Sequence, residues 1–445
     1  MARIGIFGGS FNPPHKGHLL ALREFQRRLE LDQLFVIPAA NPPHKTLSAN
    51  TPDPEMRLLL TQLACMELPG TCVSDMELRR EGKSYTSDTI RSLRARYPAD
   101  EFFLLMGTDM FFSFDRWNSP ESIAEEATIV VAHRSADSAQ ELQAQARKLH
   151  ESCHAKVLLL ENDFLPYSST AVRAMLAFGF GEEYLEAPVY EEICRRRLYY
   201  TGRNLKNLPF EELAGVSLSL HDRKRVAHVA GCSRTAQELA LRFGADADAA
   251  RRAGMLHDIT KALNTQDQLN LCEKCGIIRN SFEEKNGKLL HAKTGAAIAA
   301  RVFGESAEVC NAIYWHTTGR ADMTLLEKII YLADYMEPNR DFPGVEKLRQ
   351  AAQTSLDAAM ILGLEMSIAQ LRQRGRDIDP NSQAALDYYR ERMSEKCSYS
   401  ETAAASGGGV FPIAGRKTGI RRPALPGSRC RPRAAHRRTR ERTPA

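Results

Sequence analysis

Two periodicities divide this chain. Over roughly the first 200 residues, short apolar runs alternate with amphipathic stretches: IGIF, LFVIPA (34–39), EFFLLMG (101–107), ATIVVAH (127–133) and KVLLLE (156–161). Unbroken apolar runs of this kind fit parallel strands buried on both faces, and the helix-like segments between them fit a doubly wound sheet. From about residue 204 the period becomes helical: LSLHDRKRVAHVAGCSRTAQELALRFG, ADAARRAGMLHDITKAL, HAKTGAAIAARVFG and LLEKIIYLADYMEP follow one another with Gly or Pro between them. The second half is therefore expected to be nearly all-α. The change falls near Tyr200-Thr-Gly-Arg-Asn, which predicts a linker and domains at 1–203 and 204–400. From about Glu401 no period remains, and the Gly/Pro/Arg-rich residues 401–445 are expected to be a disordered tail.

A chain of 445 residues is too long for one ordinary core, and 43% hydrophobic with 26% charged residues is globular composition, so two or three domains are expected. No apolar run approaches the ~20 residues of a membrane span. MARIGIFGGSFNPPH lacks the basic and apolar regions of an export signal, which points to a cytoplasmic protein with no membrane partner. Ten cysteines in such a chain read as reduced thiols, and Cys272-Glu-Lys-Cys275, lacking a partner pair, reads as helix-surface cysteines. The net charge of +5 is misleading: residues 401–445 hold 11 Lys/Arg against 2 acids, which leaves residues 1–400 at −4. Nucleic-acid binding by the folded part is not suggested. The tail's composition fits RNA or lipid contact as well as an unselected extension.

Gly8-Gly9-Ser10-Phe11-Asn12-Pro13-Pro14-His15-Lys16-Gly17-His18 follows the first strand and opens the helix LLALREFQRRLE. Glycines let backbone approach a polyphosphate, and a helix N-terminus offers unpaired N–H groups and a positive dipole end. His15 and His18, three apart on the first turn, can point at one phosphate. Further along, Ser168-Ser169-Thr170-Ala171-Val172-Arg173 reads as a helix cap, and a capped start with an arginine one turn in is also an anion site.

These motifs resemble the adenylyltransferase and cytidylyltransferase superfamily, with its Rossmann-like fold. There the HxGH histidines stabilise charge while a phosphate attacks the nucleotide α-phosphorus, without a covalent enzyme intermediate. The resemblance implies catalytic roles for His15, His18 and Arg173, and phosphate contacts from Gly8, Gly9, Ser10, Phe11, Ser169 and Thr170. Three features resemble the nicotinate mononucleotide branch: Asn41-Pro-Pro-His44-Lys45, Ser84-Tyr85-Thr86-Ser87-Asp88-Thr89, and Gly107-Thr108-Asp109 followed by Trp117. They imply that Lys45 lies near the incoming phosphate, Thr86 meets a pyridine carboxylate, Asp109 contacts ribose at the Gly107 turn, and Trp117 stacks on the pyridine. Trp117 alone reads equally as a core aromatic. The reaction implied joins nicotinate mononucleotide and ATP with Mg²⁺. Phosphopantetheine or glycerol-phosphate nucleotidyl transfer are the alternatives, and both should lack the SYTxDT segment. Ser10 and Asn12 stand where relatives often have Thr and Asp, and His133-Arg134 where they often have Arg-Pro, so Arg134 is given no contact.

In the helical half, His228, His257-Asp258, His291, His316 and Asp334 each sit in an apolar frame: RVAHVA, AGMLHDITK, LLHAKTGA, AIYWHTTG and IIYLADYM. One such histidine is most often a satisfied core residue. Several together need a shared partner, and a metal centre satisfies them at once. His221-Asp222, in the polar SLHDRKR, reads instead as a helix-start or surface pair. The pattern resembles the HD phosphohydrolase superfamily, and the flanking text resembles the branch that cleaves diadenosine tetraphosphate symmetrically. The resemblance implies one metal on His228, His257, Asp258 and Asp334, with Asp258 bridging to a second on His291 and His316. Iron is what the family suggests; the donor set also suits manganese, cobalt or zinc. Lys261 and Arg320 are the candidates to meet substrate phosphate. Hydrolysis of another nucleotide, or nucleotide sensing without turnover, are the alternatives. Oligomeric state is not legible.

Overall fold

The computed structural model describes residues 1–43, 46–133, 137–161 and 167–405. The first half runs β1 (Arg3–Gly9), α1 (Lys16–Leu29), β2 (Gln33–Pro38), α2 (Pro54–Cys65), β3 (Thr71–Val73), α3 (Thr86–Arg96), β4 (Glu101–Gly107), α4 (Thr108–Phe111), α5 (Pro120–Glu126), β5 (Ala127–His133), α6 (Ala139–Cys153), β6 (Val157–Glu161), α7 (Ser169–Ala177) and α8 (Ala187–Arg196). All strand pairs are parallel and the order is β3-β2-β1-β4-β5-β6. The chain winds outward from β1 in one direction and restarts at β4 in the other, so the carboxyl ends of β1 and β4 flank the switch-point crevice where ligands bind in such sheets. The five strands expected from apolar runs are present. The sixth, β3, is three residues long and too short to show a period.

Strand alternation splits the core. Ile4, Ile6, Phe35, Ile37, Leu104 and Ile129 face a cluster closed by Ile90 and Leu93 of α3, Ile123 of α5 and Leu142 of α6. Leu34, Val36, Phe103, Leu105 and Val130 face the other side, against Leu22 and Phe25 of α1 and Leu60 of α2. That second cluster does not stop at the sheet; it continues through α7 and α8 into the helical half.

The second half is helical, as expected: α9 (Phe210–Ser219), α10 (Arg223–Phe243), α11 (Ala247–Leu256), α12 (Thr265–Cys275), α13 (Ser281–Lys285), α14 (Leu290–Ile298), α15 (Ala307–Trp315), α16 (Leu325–Met336), α17 (Val345–Thr354), α18 (Leu356–Gln373) and α19 (Pro380–Ala405). Met1–Ser394 forms one compact unit, and Glu395–Ala445 belongs to another. The stretch expected to be a disordered tail thus begins inside α19, and from residue 406 it lies outside the described residues. At the expected linker, Tyr199 and Thr201 are buried, the Thr201 hydroxyl donates to the Leu198 carbonyl at 2.8 Å, and Tyr200 Oη lies 3.1 Å from Ser219 Oγ. Among the described residues, no helix is long and apolar enough to cross a membrane.

Cys272 and Cys275 correct the sequence reading. Both are buried rather than on the helix surface, because Gln268, Leu271, Cys272 and Cys275 form the inward stripe of α12. Burial pushes the Cys272 thiol up to about 11, which suits a small apolar filler.

Helices α10 and α11 cross at Gly254. A Cβ there would lie 2.8 Å from Ser233 Cα and 3.0 Å from Ser233 N, backbone atoms that cannot swing aside. Alanine favours a helix by up to ~1 kcal/mol over glycine, but forcing two backbones apart costs ~1–3 kcal/mol. Gly254→Ala is therefore expected to lower the calorimetric unfolding midpoint, and an unchanged or raised midpoint would contradict this packing.

Candidate active sites

The first site starts where β1 ends. Phe11 turns the chain with φ 41°, and its ring packs closely over Gly9, where a Cβ would lie 3.2 Å from it. Arg57 of α2 holds the turn from beneath. Wholly buried, it donates to the carbonyls of Ser10 (2.8 Å), Ala39 (2.7 Å) and Ala40 (3.1 Å), tying the loop to the end of β2. His15 caps α1, and its N–H donates to His18 Nδ1 at 3.2 Å, while the two rings stack at 3.7 Å. An accepting Nδ1 assigns the neutral ring's proton to Nε2.

On the far side, Ser168 caps α7 by accepting from the Ala171 N–H at 3.1 Å, and Ser169 Oγ donates to the Pro13 carbonyl at 3.2 Å. Arg173 lies beneath the loop. It is 4% exposed and donates to the Asn12 carbonyl at 2.8 Å and to Thr170 Oγ1 at 3.2 Å, and burial pushes its guanidinium below its ordinary range. Tyr199 Oη closes the same knot by donating to Asn12 Oδ1 at 2.9 Å.

Two cavities meet at His18. One, of about 310 Å³, is lined by Gly8, Gly9, Ser10, Phe11, Thr86, Gly107, Trp117 and Ser169 among the expected residues. The other, of about 390 Å³, is lined by His15, Gly107, Asp109, Ser169 and Thr170, with Tyr167. Trp117 is half-buried, its ring 5.3 Å from that of Phe114, so it touches both core and cavity. His44, Lys45 and Arg134 lie outside the described residues. Arg173 lines neither cavity.

Sequence reasoning missed Glu77 and Arg57. Burial raises the carboxyl of Glu77, which accepts from Thr89 Oγ1 at 2.7 Å in the wall of the first cavity. Arg57 had a legible signal: Arg57, Leu60, Thr61 and Ala64 share the buried stripe of α2, so a cation stands where an apolar residue is expected.

The second site gathers residues from five helical segments. His228 lies in α10, His291 in α14 and Asp334 in α16; His257 and His316 close α11 and α15, and Asp258 follows His257. Each imidazole is gripped from behind through Nδ1: His257 by the Gly254 carbonyl (2.7 Å), His291 by Lys288 O (2.5 Å), His316 by Ile313 O (2.6 Å) and His228 by Glu337 Oε1 (3.2 Å). The Nε2 atoms therefore converge. His228 Nε2 lies 3.1 Å from Asp334 Oδ1 and 3.2 Å from His257 Nε2, and both stand beside Asp258 Oδ2 at 3.7 and 3.6 Å. His291 Nε2 lies 3.2 Å from Asp258 Oδ1 and 3.1 Å from His316 Nε2.

This geometry tests whether a metal fits. A carbonyl only accepts, so His291 and His316 each carry their neutral-ring proton on Nδ1 and face each other with lone pairs 3.1 Å apart. Two such lone pairs repel unless a cation lies between them. Burial and the Lys261 ammonium push His291 down to about 4, so that ring is neutral at pH 7. Burial alone would raise Asp258, but His257, Lys261 and the other imidazoles hold it ionised, well below the usual carboxylate range. His257 differs: although burial opposes the charge, Asp258 and Asp334 hold it well above the ordinary imidazole range, and a bound metal would take the place of that proton, since neutral imidazoles and ionised carboxylates are the forms that bind metal. The residues fit a metal: His228, His257 and Asp334 bring their ligand atoms together, as do His257, Asp258 and His316, and the nitrogen–oxygen donor set without thiolate suits a divalent transition metal.

Around this centre stand three cations. Lys261 Nζ lies 2.8 Å from His291 Nε2, inside the ligand cluster. Arg225, which the sequence gave no reason to single out, pairs with Asp258, and Arg340 donates to Asp334 Oδ1 at 2.6 Å. Arg320 is instead held by buried Glu327 at 2.8 Å, at the start of α16. Asp222 caps α10 by accepting from the Arg225 N–H at 3.0 Å, as a helix-start residue should. His221 corrects the surface reading of that pair: it is 4% exposed, and burial, opposed by the Asp258 charge, pushes it down to about 4. The turn from α9 into α10 carries the ring inward although its neighbours in sequence are polar.

Comparison with known proteins adds names to these geometries. The cytidylyltransferase-like family model matches residues 6–175 and the HD domain model matches 225–339. A Geobacter metallireducens protein named "Probable nicotinate-nucleotide adenylyltransferase" is 37% identical over 217 residues, covering 45% of this chain and 100% of that protein. A Shouchella clausii protein of the same name is 34% identical over 209 residues, covering 46% and 100%. A crystal structure from Clostridium acetobutylicum, of a "predicted HD superfamily hydrolase involved in NAD metabolism", is 35% identical, with a TM-score of 0.41, over 42% of this chain and 98% of that one.

Asp258 stands in one ligand group and lies beside all four imidazoles. Asp258→Ala should weaken transition-metal binding by more than the ~10–100-fold that losing an outer partner costs. Elemental analysis of purified chain checks this, with circular dichroism confirming helix content. Full metal retention by the folded variant would contradict a ligand role for Asp258.

Proposed function

The chain belongs, through its first half, to the nicotinate-nucleotide adenylyltransferase family, and on that premise we propose that it joins nicotinate mononucleotide to ATP, forming nicotinate adenine dinucleotide and pyrophosphate. A phosphate oxygen of the mononucleotide attacks the α-phosphorus, the bond to the bridging oxygen breaks, and pyrophosphate leaves. His18 carries the reading, because it lines both cavities and so stands where two substrates meet. The cavity with Thr86 and Trp117 takes the pyridine nucleotide, and the one with Asp109, Ser169 and Thr170 takes ATP. His15 and His18 stabilise charge as it develops on the transferred phosphoryl, and the loop's backbone fixes alignment. Mg²⁺ arriving with ATP neutralises phosphate charge. Arg173 serves by holding Asn12, and Lys45 is offered for the incoming phosphate on the resemblance of its motif.

For the helical half, with domains taken as 1–203 and 204–400, we propose metal-dependent hydrolysis of diadenosine tetraphosphate to two ADP. The observation supporting a hydrolase is the convergence of four Nε2 atoms on one carboxylate. Metal held there would supply a more acidic water and neutralise phosphate charge. His228, His257, Asp258, His291, His316 and Asp334 would hold the metal, Arg225 and Arg340 would hold Asp258 and Asp334 in place, and Lys261, displaced from His291, would reach phosphate. Iron is the metal proposed, and Arg320 would have to leave Glu327 to take part.

His18→Ala is expected to reduce pyrophosphate release by at least ~100-fold, the scale of one lost stabilising donor. Unchanged turnover would sink the transferase assignment. Incubating metal-loaded chain with diadenosine tetraphosphate should yield two ADP per substrate, and Asp258→Ala should not. ATP plus AMP, or bound metal without turnover, would replace this substrate or the hydrolase reading itself.

A further inference from the structure

A buried hydrogen bond joins the two halves directly behind the nucleotide cavity. Tyr184 Oη donates to Asp267 Oδ1 at 2.8 Å, and both residues are 1% exposed. Tyr184 belongs to the first half; Asp267 lies in the first turn of α12 in the second. On its other side, Tyr184 packs edge-on against Tyr167 at 4.8 Å, and Tyr167 meets the ring of His15 edge-on at 6.5 Å. Tyr167 lines the cavity assigned to ATP.

The turn Glu182–Tyr184 has further ties in both directions. Lys274 of α12 pairs with Glu183 at 3.0 Å, and Lys16, the neighbour of His15, donates to the Glu183 carbonyl at 3.0 Å. One short turn is therefore bonded to α12 twice and touches the transferase site twice.

We propose that Asp267 is a positioning residue for the ATP cavity, holding Tyr167 in the cavity wall through Tyr184. The assignment of that cavity to ATP rests on the preceding reading. A carboxylate is a poor choice for mere adhesion, because burying it carries a desolvation cost that an apolar pair of the same size avoids. What it supplies is direction. Asn264 Nδ2 donates to the second oxygen at 2.6 Å and the Asp267 N–H is held by Asn264 Oδ1 at 3.0 Å, so the acceptor is fixed in space. Tyr184 must meet it with its hydroxyl, which sets the plane of its ring and the seat of Tyr167.

The test is calorimetric titration of the full chain with Mg²⁺ and α,β-methylene ATP, and separately with nicotinate mononucleotide. Tyr184→Phe keeps the ring and loses only the donor; Asp267→Ala loses the acceptor. Both should weaken analogue binding about 3–10-fold, the scale of one hydrogen bond's net contribution, and leave mononucleotide binding unchanged. Unchanged analogue affinity in both variants overturns the proposal. So does an equal loss for both ligands accompanied by a lowered unfolding midpoint, which is what simple support of the fold would give. If the wild-type chain binds the analogue with the expected variant losses but releases no pyrophosphate from ATP and mononucleotide, the transferase reading fails and the positioning role stands. If the wild-type chain does not bind the analogue, both fail.

Discussion

A carboxylate 2% exposed among apolar helices, as Asp258 is, destabilises a fold by several kcal/mol unless charge and donors face it. Four imidazoles, Arg225 and Lys261 face it here. The architecture of the helical half follows from bringing those groups to one point. Two of the histidines close helices, and three are gripped by carbonyls one turn back along their own segment, so the helix ends set ring orientation without other side chains. Gly254 serves twice: it lets α10 and α11 touch, and its carbonyl aims His257.

The sheet half meets the reverse demand, gathering an anion instead of stabilising one. Its instrument is backbone at the end of β1, and backbone of that shape needs carbonyls held out of the way. Arg57 and Arg173 do this from below, with carbonyl partners at Ser10, Ala39, Ala40 and Asn12. Both guanidiniums are buried, and neither makes an ion pair with a carboxylate among the described residues. Their guanidinium charge under the loop suits a phosphate above it. Arg173, whose motif implies a catalytic role, is held here by the Asn12 carbonyl and Thr170 Oγ1.

Much of this was legible in the sequence where a residue type and its period disagree. Histidines in apolar helices drew notice because each is costly alone, and the structure brings all six expected ligands together. Strands announced themselves through unbroken apolar runs. Signals failed where the local period gave the wrong environment. His221 sits in polar text but is carried inward by a turn, and Cys272 and Cys275 passed for surface residues although they complete the stripe of Gln268 and Leu271. β3 is too short to show a period, and Arg57 was visible only to a reader asking why a cation occupies the Leu60 stripe.

Tyr184 and Asp267 show a different kind of blindness. They are 83 positions apart, and neither stands in a recognisable motif. Change of periodicity near Tyr200 reads as a boundary, and for secondary structure it is one: parallel strands precede it and helices follow. Packing ignores it. One apolar cluster runs from Leu34 and Phe25 beneath the sheet to Leu256 and Ile330 among the helices. Thr201 is buried at the change itself. Secondary structure is dictated by neighbours in sequence, so its boundary can be read there. A shared core depends on which faces remain apolar after each half has formed, and a buried polar pair across it depends on residues meeting that no local pattern connects. The two chemistries are legible separately for the first reason, and their physical union only in three dimensions for the second.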